Sequence, residues 1–172
     1  MEVALNSEHG LKQIAILRDR FGEKCMIGAG TAISVDLAKA AIGAGAQFLL
    51  TPGTPIDVLQ YCAKKDIMLL PGVFTPGDVA TSLEFGYKTM KLFPAGCAPK
   101  GYLKALKGPY DEANYIAIGG VTIDNINDYF KEGYMGVGLA SNLMPLSVLK
   151  DKNWDLGVSY VQKYVSRVKR RV

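Results

Sequence analysis

Residues 88–95 read Lys-Thr-Met-Lys-Leu-Phe-Pro-Ala, a short apolar segment that carries a lysine near its end and is followed by a proline. Side chains alternate along a strand, so Lys91 and Phe93 lie on one face and Leu92 lies on the other. Both faces are largely apolar, which is typical of strands in parallel sheets that are covered on both sides. The segment therefore predicts a buried strand of an α/β fold, with a lysine in apolar surroundings.

Lys91 itself has two interpretations. An ammonium group is costly to bury, so apolar surroundings lower the pKa of a lysine and make its neutral amine available. A neutral amine is a nucleophile that can form a Schiff base with a ketone. Alternatively, the side chain lies at a strand end and extends its charged head into water. The segment alone leaves both interpretations open.

Similar apolar runs recur at even spacing along the chain, with helical periodicity between them. The runs are residues 2–5, 26–30, 47–51, 67–71, 89–93, 115–119 and 135–139. Strict alternation of strands and helices predicts a parallel sheet, either in a barrel or in a doubly wound fold. The repeat of roughly 20–25 residues favours the barrel.

The seven apolar runs are one fewer than the eight strands of a closed (β/α)8 barrel. We expect a TIM-type (β/α)8 barrel that has seven strands here, because a first strand and helix are missing in front of residue 2. Residues 1–172 are predicted to form this barrel as a single domain. Apolar residues from Trp154 to Val168 recur at steps of four and three, which predicts a C-terminal amphipathic helix at about 153–170.

The composition excludes several partners. The chain is 49% hydrophobic with a net charge of +4, and the basic run at 169–171 is more typical of a helix end than of a nucleic-acid surface. Neither a signal peptide nor an apolar run of membrane length is present, so we expect no membrane partner. Three cysteines without metal-ligand spacing indicate reduced thiols in the cytoplasm. With His9 as the single histidine, a multi-histidine metal site within one chain is excluded.

Ligands of parallel α/β folds bind at the carboxyl ends of the strands. Residues of chemical interest stand at those ends: Glu2, Asn6, Gly28, Thr31, Pro52, Lys91, Phe93, Gly119, Gly120 and Ser141. Taken singly, several have simpler explanations. A glycine such as Gly28 is consistent with a tight turn, and Glu2 is by default a solvated residue near a terminus.

Gly119 and Gly120 are a more specific signal, because they precede a helix for which Thr122 is the predicted cap. Glycines let backbone N–H groups approach an anion, and a helix N-terminus favours negative charge. Barrels often bind phosphate on the loops after strands seven and eight. If one strand is missing in front, Gly119 ends strand seven and Gly138 ends strand eight. The sequence thus predicts a phosphate site here.

Taken together, the motifs resemble the bacterial 2-keto-3-deoxy-6-phosphogluconate (KDPG) aldolases and their 6-phosphogalactonate relatives. The matching segments are Glu2-Val3-Ala4-Leu5, Gly28-Ala29-Gly30-Thr31, Thr51-Pro52-Gly53, Pro71-Gly72, Lys91-Leu92-Phe93-Pro94-Ala95, Gly119-Gly120-Val121 and Ser141. They lie in order over nearly all of residues 2–145. The resemblance implies a class I aldolase of carbohydrate metabolism, of the Entner-Doudoroff type. It also implies a (β/α)8 barrel, usually a homotrimer, without metal or other cofactor.

The resemblance also implies roles for individual residues. Lys91 corresponds to the Schiff-base lysine and Glu2 to the general acid/base. The substrate-binding positions are Thr31, Pro52 and Phe93, and the phosphate-binding positions are Gly119, Gly120 and Ser141. Asn6 stands where many members have an arginine for the substrate carboxylate, which is more similar to the phosphogalactonate branch and leaves the sugar preference open.

The implied reaction is the cleavage of a phosphorylated 2-keto-3-deoxy sugar acid to pyruvate and glyceraldehyde 3-phosphate, which is the chemistry of an aldehyde-lyase. One alternative is a truncated, catalytically weak barrel that binds a phosphorylated ligand. A second is a metal-dependent sugar-phosphate epimerase on the same fold. The single histidine and the lack of clustered Asp and His ligands count against the epimerase.

Overall fold

A computed structural model describes residues 1–169, with only the backbone of Lys169. The side chains of the basic run at 169–171, to which the sequence assigned a helix-end role, lie outside the described residues. Strands and helices alternate along the chain as predicted. The strands are β1 (Glu2–Ala4), β2 (Gly28–Gly30), β3 (Phe48–Leu50), β4 (Leu69–Leu70), β5 (Gly72–Val73), β6 (Thr89–Leu92), β7 (Asn114–Ile118) and β8 (Gly136–Gly138).

Eight α-helices and one turn of 3-10 helix connect or follow these strands within residues 1–169. They are α1 (Gly10–Phe21), α2 (Val35–Gly43), α3 (Ile56–Lys64), α4 (Pro76–Glu84), a 3-10 turn (Ala95–Cys97), α5 (Tyr102–Lys107), α6 (Ile126–Glu132), α7 (Leu146–Lys150) and α8 (Trp154–Lys169). None of the helices in this part of the chain is both long and apolar enough to cross a bilayer.

The strands pair in chain order, and every pair is parallel. Hydrogen bonds join β1 to β4 into one sheet and β5 to β8 into another. Within residues 1–169, β1 has one strand neighbour, β2, and β8 has one, β7. The two sheets are therefore successive halves of a partial barrel.

The fourth predicted strand, residues 67–71, forms β4 and continues beyond Pro71 as the separate strand β5. On one side of Pro71 Leu69 pairs with β3, and on the other Gly72 pairs with Lys91 of β6. Proline has no N–H to donate, but the Pro71 carbonyl accepts a hydrogen bond from the Lys91 amide at 2.9 Å. Seven predicted strands thus become eight short ones because one strand changes neighbour at this proline, and the seven predicted units are retained.

Each half has its own hydrophobic cluster between strands and helices. In the first half, Ile14 of α1 and Leu59 of α3 pack with Leu49 of β3. In the second half, Met90 and Leu92 of β6 pack with residues from α5 and β7. Because neighbours alternate along a strand, this outward packing of Met90 and Leu92 directs Lys91 to the barrel interior.

Both predicted caps accept a hydrogen bond from the amide three residues further on. Ser34 caps α2 by accepting a hydrogen bond from the Leu37 amide at 3.2 Å. The Thr122 hydroxyl accepts from the Asn125 amide at 3.3 Å, but the regular helix α6 begins only at Ile126. Asn125 accepts a hydrogen bond from the Thr122 amide at 2.7 Å and closes a turn in front of the helix. The loop after β7 is therefore longer than the sequence indicated.

Candidate active site

Lys91 lies inside the second half of the barrel. Its backbone pairs with Gly72 of β5 on one side and Ile116 of β7 on the other. The residue is 7% exposed, and its Nζ atom lies 4.4 Å from the centre of the Phe93 ring. Aromatic faces attract a cation and provide an apolar wall for a neutral amine. Phe93 thus takes its predicted place beside the lysine.

Burial lowers the pKa of Lys91 below its ordinary value, and the carboxylate of Glu2 raises the pKa against that effect. The net shift is downward, so the neutral amine is more available than in a solvated lysine. Glu2 is an exposed residue of β1 in the other half of the barrel, and its charge acts on Lys91. This electrostatic interaction connects the two predicted catalytic residues.

The position of the Glu2 carboxylate depends on a glycine in the neighbouring strand. A Cβ atom at Gly30 of β2 would overlap the Oε1 atom of Glu2. The carboxylate therefore lies directly over the Cα atom of Gly30, in space that any other residue would fill. A similar clearance occurs at Gly28, where a Cβ atom would overlap the ring of Phe48. Both glycines lie within β2, so the interpretation of Gly28 as a tight turn is wrong.

Thr31 follows Gly30 at the carboxyl end of β2 and has a strained backbone. Its φ angle is 60°, in the left-handed region, which is a genuine outlier for a β-branched residue. Such strain costs on the order of 1–3 kcal/mol and concentrates at ligand-binding positions. Thr31 is half-buried, so its strained conformation fixes a hydroxyl-bearing residue at the rim of the interior.

Pro52 lies in the loop where the two halves meet. The hydroxyl of buried Thr51 donates to the Gly53 carbonyl at 2.6 Å and accepts from the Gly72 amide at 3.1 Å. A Cβ atom at Gly72 would overlap the carbonyl group of Pro52. The loop is thus packed against β5, the strand that pairs with Lys91. Pro52 itself is exposed at the carboxyl edge.

Gly119 and Gly120 form a tight loop against the segment that follows Lys91. Both have left-handed backbone conformations, with φ angles of 88° and 83°, which glycine adopts without a steric cost. The Gly96 amide donates to the Gly119 carbonyl at 2.8 Å. A Cβ atom at Gly120 would lie 2.8 Å from the Cα atom of Gly96. We call residues 119–125 the glycine loop.

Ser141 is exposed after β8, on a cavity of about 410 Å³ that Thr122 of the glycine loop also lines. The two loops are joined by Asn142, whose side-chain amide donates to the Val121 carbonyl at 3.2 Å. Asn6, by comparison, is exposed in the turn after β1. It is the predicted residue with the weakest structural connection to the others.

Several residues of this region were missed by the sequence reasoning. The sequence does not indicate the roles of Gly30 and Gly96, because close approach between distant segments leaves no local pattern. Lys163 of α8 lines the same cavity as Ser141, but on the sequence it is one of many surface lysines. Within residues 1–169 no three His, Cys, Asp or Glu side chains are grouped so that they could hold a metal ion.

Comparison with known proteins gives close relatives. The chain is 31% identical over 166 residues to the 2-dehydro-3-deoxy-6-phosphogalactonate aldolase of Escherichia coli strain K12. The match covers 95% of this chain and 80% of that protein. It is 33% identical over 156 residues to the 2-dehydro-3-deoxy-phosphogluconate aldolase of Pseudomonas aeruginosa. This match covers 90% of this chain and 70% of that protein.

The fold is similar to that of a KDPG aldolase from Legionella pneumophila, in which pyruvate was captured at low pH as a covalent carbinolamine intermediate. The TM-score is 0.86 at 30% identity, and the match covers 93% of this chain and 78% of that one. Fold, site and relatives together define an aldehyde-lyase on a TIM-type barrel. The sequence profile of KDPG and KHG aldolases matches residues 1–159. The chain belongs to this family, which confirms the fold and the family predicted from the sequence.

Proposed function

We propose that the protein is a Schiff-base aldolase that cleaves a 2-keto-3-deoxy-6-phospho sugar acid to pyruvate and glyceraldehyde 3-phosphate. The observation that carries the proposal is Lys91, a buried lysine whose pKa is lowered by burial although the charge of Glu2 opposes the decrease. Burial makes the amine nucleophilic, and the carboxylate, which acts on Lys91 through its charge, provides a base. The family relationship supports the same reaction class.

The reaction begins when the neutral amine of Lys91 attacks the C2 ketone and water leaves to form a protonated imine. Glu2 takes the proton of the C4 hydroxyl, directly or through a water molecule. The C3–C4 bond breaks, its electron pair passes to the iminium, and the C4 side leaves as the aldehyde of glyceraldehyde 3-phosphate. The remaining enamine takes at C3 the proton that Glu2 holds, and water hydrolyses the protonated imine to pyruvate and Lys91, which releases the proton taken up when the imine formed.

Binding groups surround these reacting atoms in the proposed complex. Thr31, held in its strained conformation, and neighbouring backbone N–H groups bind the substrate carboxylate, and Phe93 packs beside the imine. Asn6 and Pro52 line the carboxyl edge around the sugar chain. The glycine loop and Ser141 bind the phosphate, and this remote binding energy orients the reacting end.

Reductive trapping tests the assignment of Lys91. Pyruvate and borohydride should add a stable mass to the wild-type chain, because reduction fixes the imine. Lys91→Ala should abolish the adduct. Lys88→Ala is the matched control, since Lys88 is exposed and paired with Glu112 at 2.7 Å, and it should trap normally. An adduct that survives in Lys91→Ala would overturn the assignment.

The sugar preference follows from a coupled assay that measures pyruvate release from the phosphogluconate and phosphogalactonate substrates in parallel. Asn6 stands where many relatives have arginine, so we propose a preference for the phosphogalactonate compound. Asn6→Arg should shift the ratio of kcat/KM values towards the phosphogluconate compound. An unchanged ratio would remove Asn6 from the specificity residues.

We also propose that the chain assembles as a homotrimer. Ile33 and Ile56 are 55% and 60% exposed beside a cavity of about 520 Å³ at the starts of α2 and α3. Exposed apolar groups of this kind mark contact surfaces. Light scattering should give three times the chain mass of 18.6 kDa. Ile33→Asp should reduce that mass, whereas Ile16→Asp on α1 should not.

A further inference from the structure

The proposed phosphate site has no positive charge of its own. Gly119 and Gly120 offer backbone N–H groups, and Ser141 offers a hydroxyl. A phosphate monoester carries a charge of about −1.5 to −2 at pH 7. Hydrogen bonds to an ionised group are strengthened when the partner is also charged. A cation close to Ser141 would therefore improve binding substantially.

Lys163 of α8 is in a position to supply this charge. It lines the cavity of about 410 Å³ that Ser141 and Thr122 also line. It lines a second cavity of about 450 Å³ as well, together with Arg167. No carboxylate is found among the described residues that line these two cavities. The surface between Ser141 and α8 thus favours an anion.

The head group of Lys163 is available for a ligand. In the part of the chain that the structure describes, it has no ion pair or hydrogen bond, and its Nζ atom lies 4.9 Å from the centre of the Tyr160 ring. Lysine is a flexible point charge that binds phosphate without a fixed geometry. Movement off the ring towards Ser141 therefore breaks no polar contact.

The helix that carries Lys163 is fastened to the proposed phosphate loops. The hydroxyl of Tyr164, the next residue, donates to the Asn142 carbonyl at 2.7 Å. The side chain of Asn142 in turn donates to the Val121 carbonyl in the glycine loop at 3.2 Å. Two hydrogen bonds thus fix α8 relative to both loops and hold Lys163 at the edge of the site.

We propose that Lys163 binds the phosphate group of the substrate and makes the enzyme selective for phosphorylated sugar acids. The proposal rests on the proposed aldolase function. It adds a specificity residue from α8 to a site that the motifs placed on two loops alone. Substrates without phosphate gain nothing from Lys163, so their cleavage does not depend on it.

The test compares kcat/KM for the phosphorylated sugar acid and for the same compound without phosphate. Lys163→Met should lower the value for the phosphorylated substrate about tenfold, the effect expected for one hydrogen bond between charged groups. It should leave the value for the other substrate and pyruvate trapping at Lys91 unchanged. Lys163→Arg keeps the charge and should restore most of the loss.

Lys100→Met is the matched control. Lys100 is exposed and lines a separate cavity that borders Gly96 and Asn125, next to the other side of the glycine loop. The Lys100→Met variant should cleave both substrates like the wild type. If Lys163→Met leaves selectivity unchanged, or if Lys100→Met causes the loss instead, the assignment of Lys163 is wrong while the aldolase function stands. A wild-type chain that neither traps pyruvate nor cleaves substrate would overturn both.

Discussion

The two halves of the barrel are built alike but supply different chemistry. Each has parallel strands and its own hydrophobic cluster. The half from β1 to β4 carries Glu2 and the strained Thr31. The half from β5 to β8 carries Lys91 and the glycine loop. In the proposed mechanism, proton transfer and carboxylate binding thus belong to the first half, and covalent attachment and phosphate binding belong to the second.

This division teaches that the steps of the reaction are experimentally separable. Pyruvate trapping needs the amine of Lys91 and the groups that bind the carboxylate, whereas bond cleavage also needs the general base Glu2. The halves are connected by the electrostatic effect of Glu2 on Lys91 and by the loop of Pro52 that packs on Gly72. Changes at those contacts therefore distinguish a loss of chemistry from a loss of assembly.

Among the variants, Glu2→Gln should give the largest difference between the loss of cleavage and the loss of pyruvate trapping. Removing a general base lowers a rate by roughly 10²–10⁴-fold, so cleavage should fall by about 10³-fold. Pyruvate trapping at Lys91 should persist, because attack by the amine does not use the base that deprotonates the C4 hydroxyl. Glu8→Gln, an exposed carboxylate on the same segment, serves as the control for charge. Equal loss of trapping and cleavage in Glu2→Gln would contradict the division.

Gly72→Ala should disturb the packing between the two halves and lower the stability of the protein. The new methyl group would overlap the Pro52 carbonyl, and overpacking of this kind costs about 1–3 kcal/mol. We expect a lower midpoint of denaturant unfolding with an unchanged slope. Gly53→Ala, in the same loop region, places its methyl group in open space and should unfold like the wild type. Equal stability of the two variants would show that the contact is not a tight one.

Gly30→Ala tests whether the first half positions its carboxylate through a glycine. The methyl group would occupy the place of the Glu2 Oε1 atom and displace the carboxylate. A displacement of about 1 Å in a reacting group costs up to 10²-fold, so cleavage should fall about tenfold or more while trapping stays unchanged. Gly43→Ala in α2 meets no atom within 4 Å and should cleave normally. Full activity in Gly30→Ala would mean that Glu2 has other productive positions.

The smallest effect concerns the pH dependence of trapping. Burial lowers the pKa of Lys91 from its ordinary 10.5, and Glu2 opposes the decrease. The trapping rate should therefore rise with pH through a midpoint below 10.5, as the ammonium loses its proton. Removing the negative charge of Glu2 destabilises the ammonium, so Glu2→Gln should move the midpoint lower still. A shift to higher pH would show that Glu2 is not acting on Lys91 through its charge.

The sequence predicted the repeating architecture well because strands with two apolar faces, such as Thr89–Leu92, differ clearly from amphipathic helices. It also singled out Lys91, since a lysine within such a strand is conspicuous. The division of the fourth strand at Pro71 was not predictable, because hydropathy does not encode which neighbour a strand pairs with. Thr122 was a plausible cap, and its hydroxyl does accept from the Asn125 amide, but the regular helix begins only at Ile126.

The contact of Gly96 with Gly120 has a thermodynamic consequence. Gly96 follows Lys91 by five residues, and its backbone lies against the glycine loop without an intervening side chain. A ligand that moves one of the two segments would therefore displace the other. Linkage is reciprocal: if inorganic phosphate changes the affinity of the enzyme for pyruvate by some factor, pyruvate must change its affinity for phosphate by the same factor. The two products of cleavage, pyruvate and the phosphorylated aldehyde, would then change each other's affinity for the enzyme although no bond joins them.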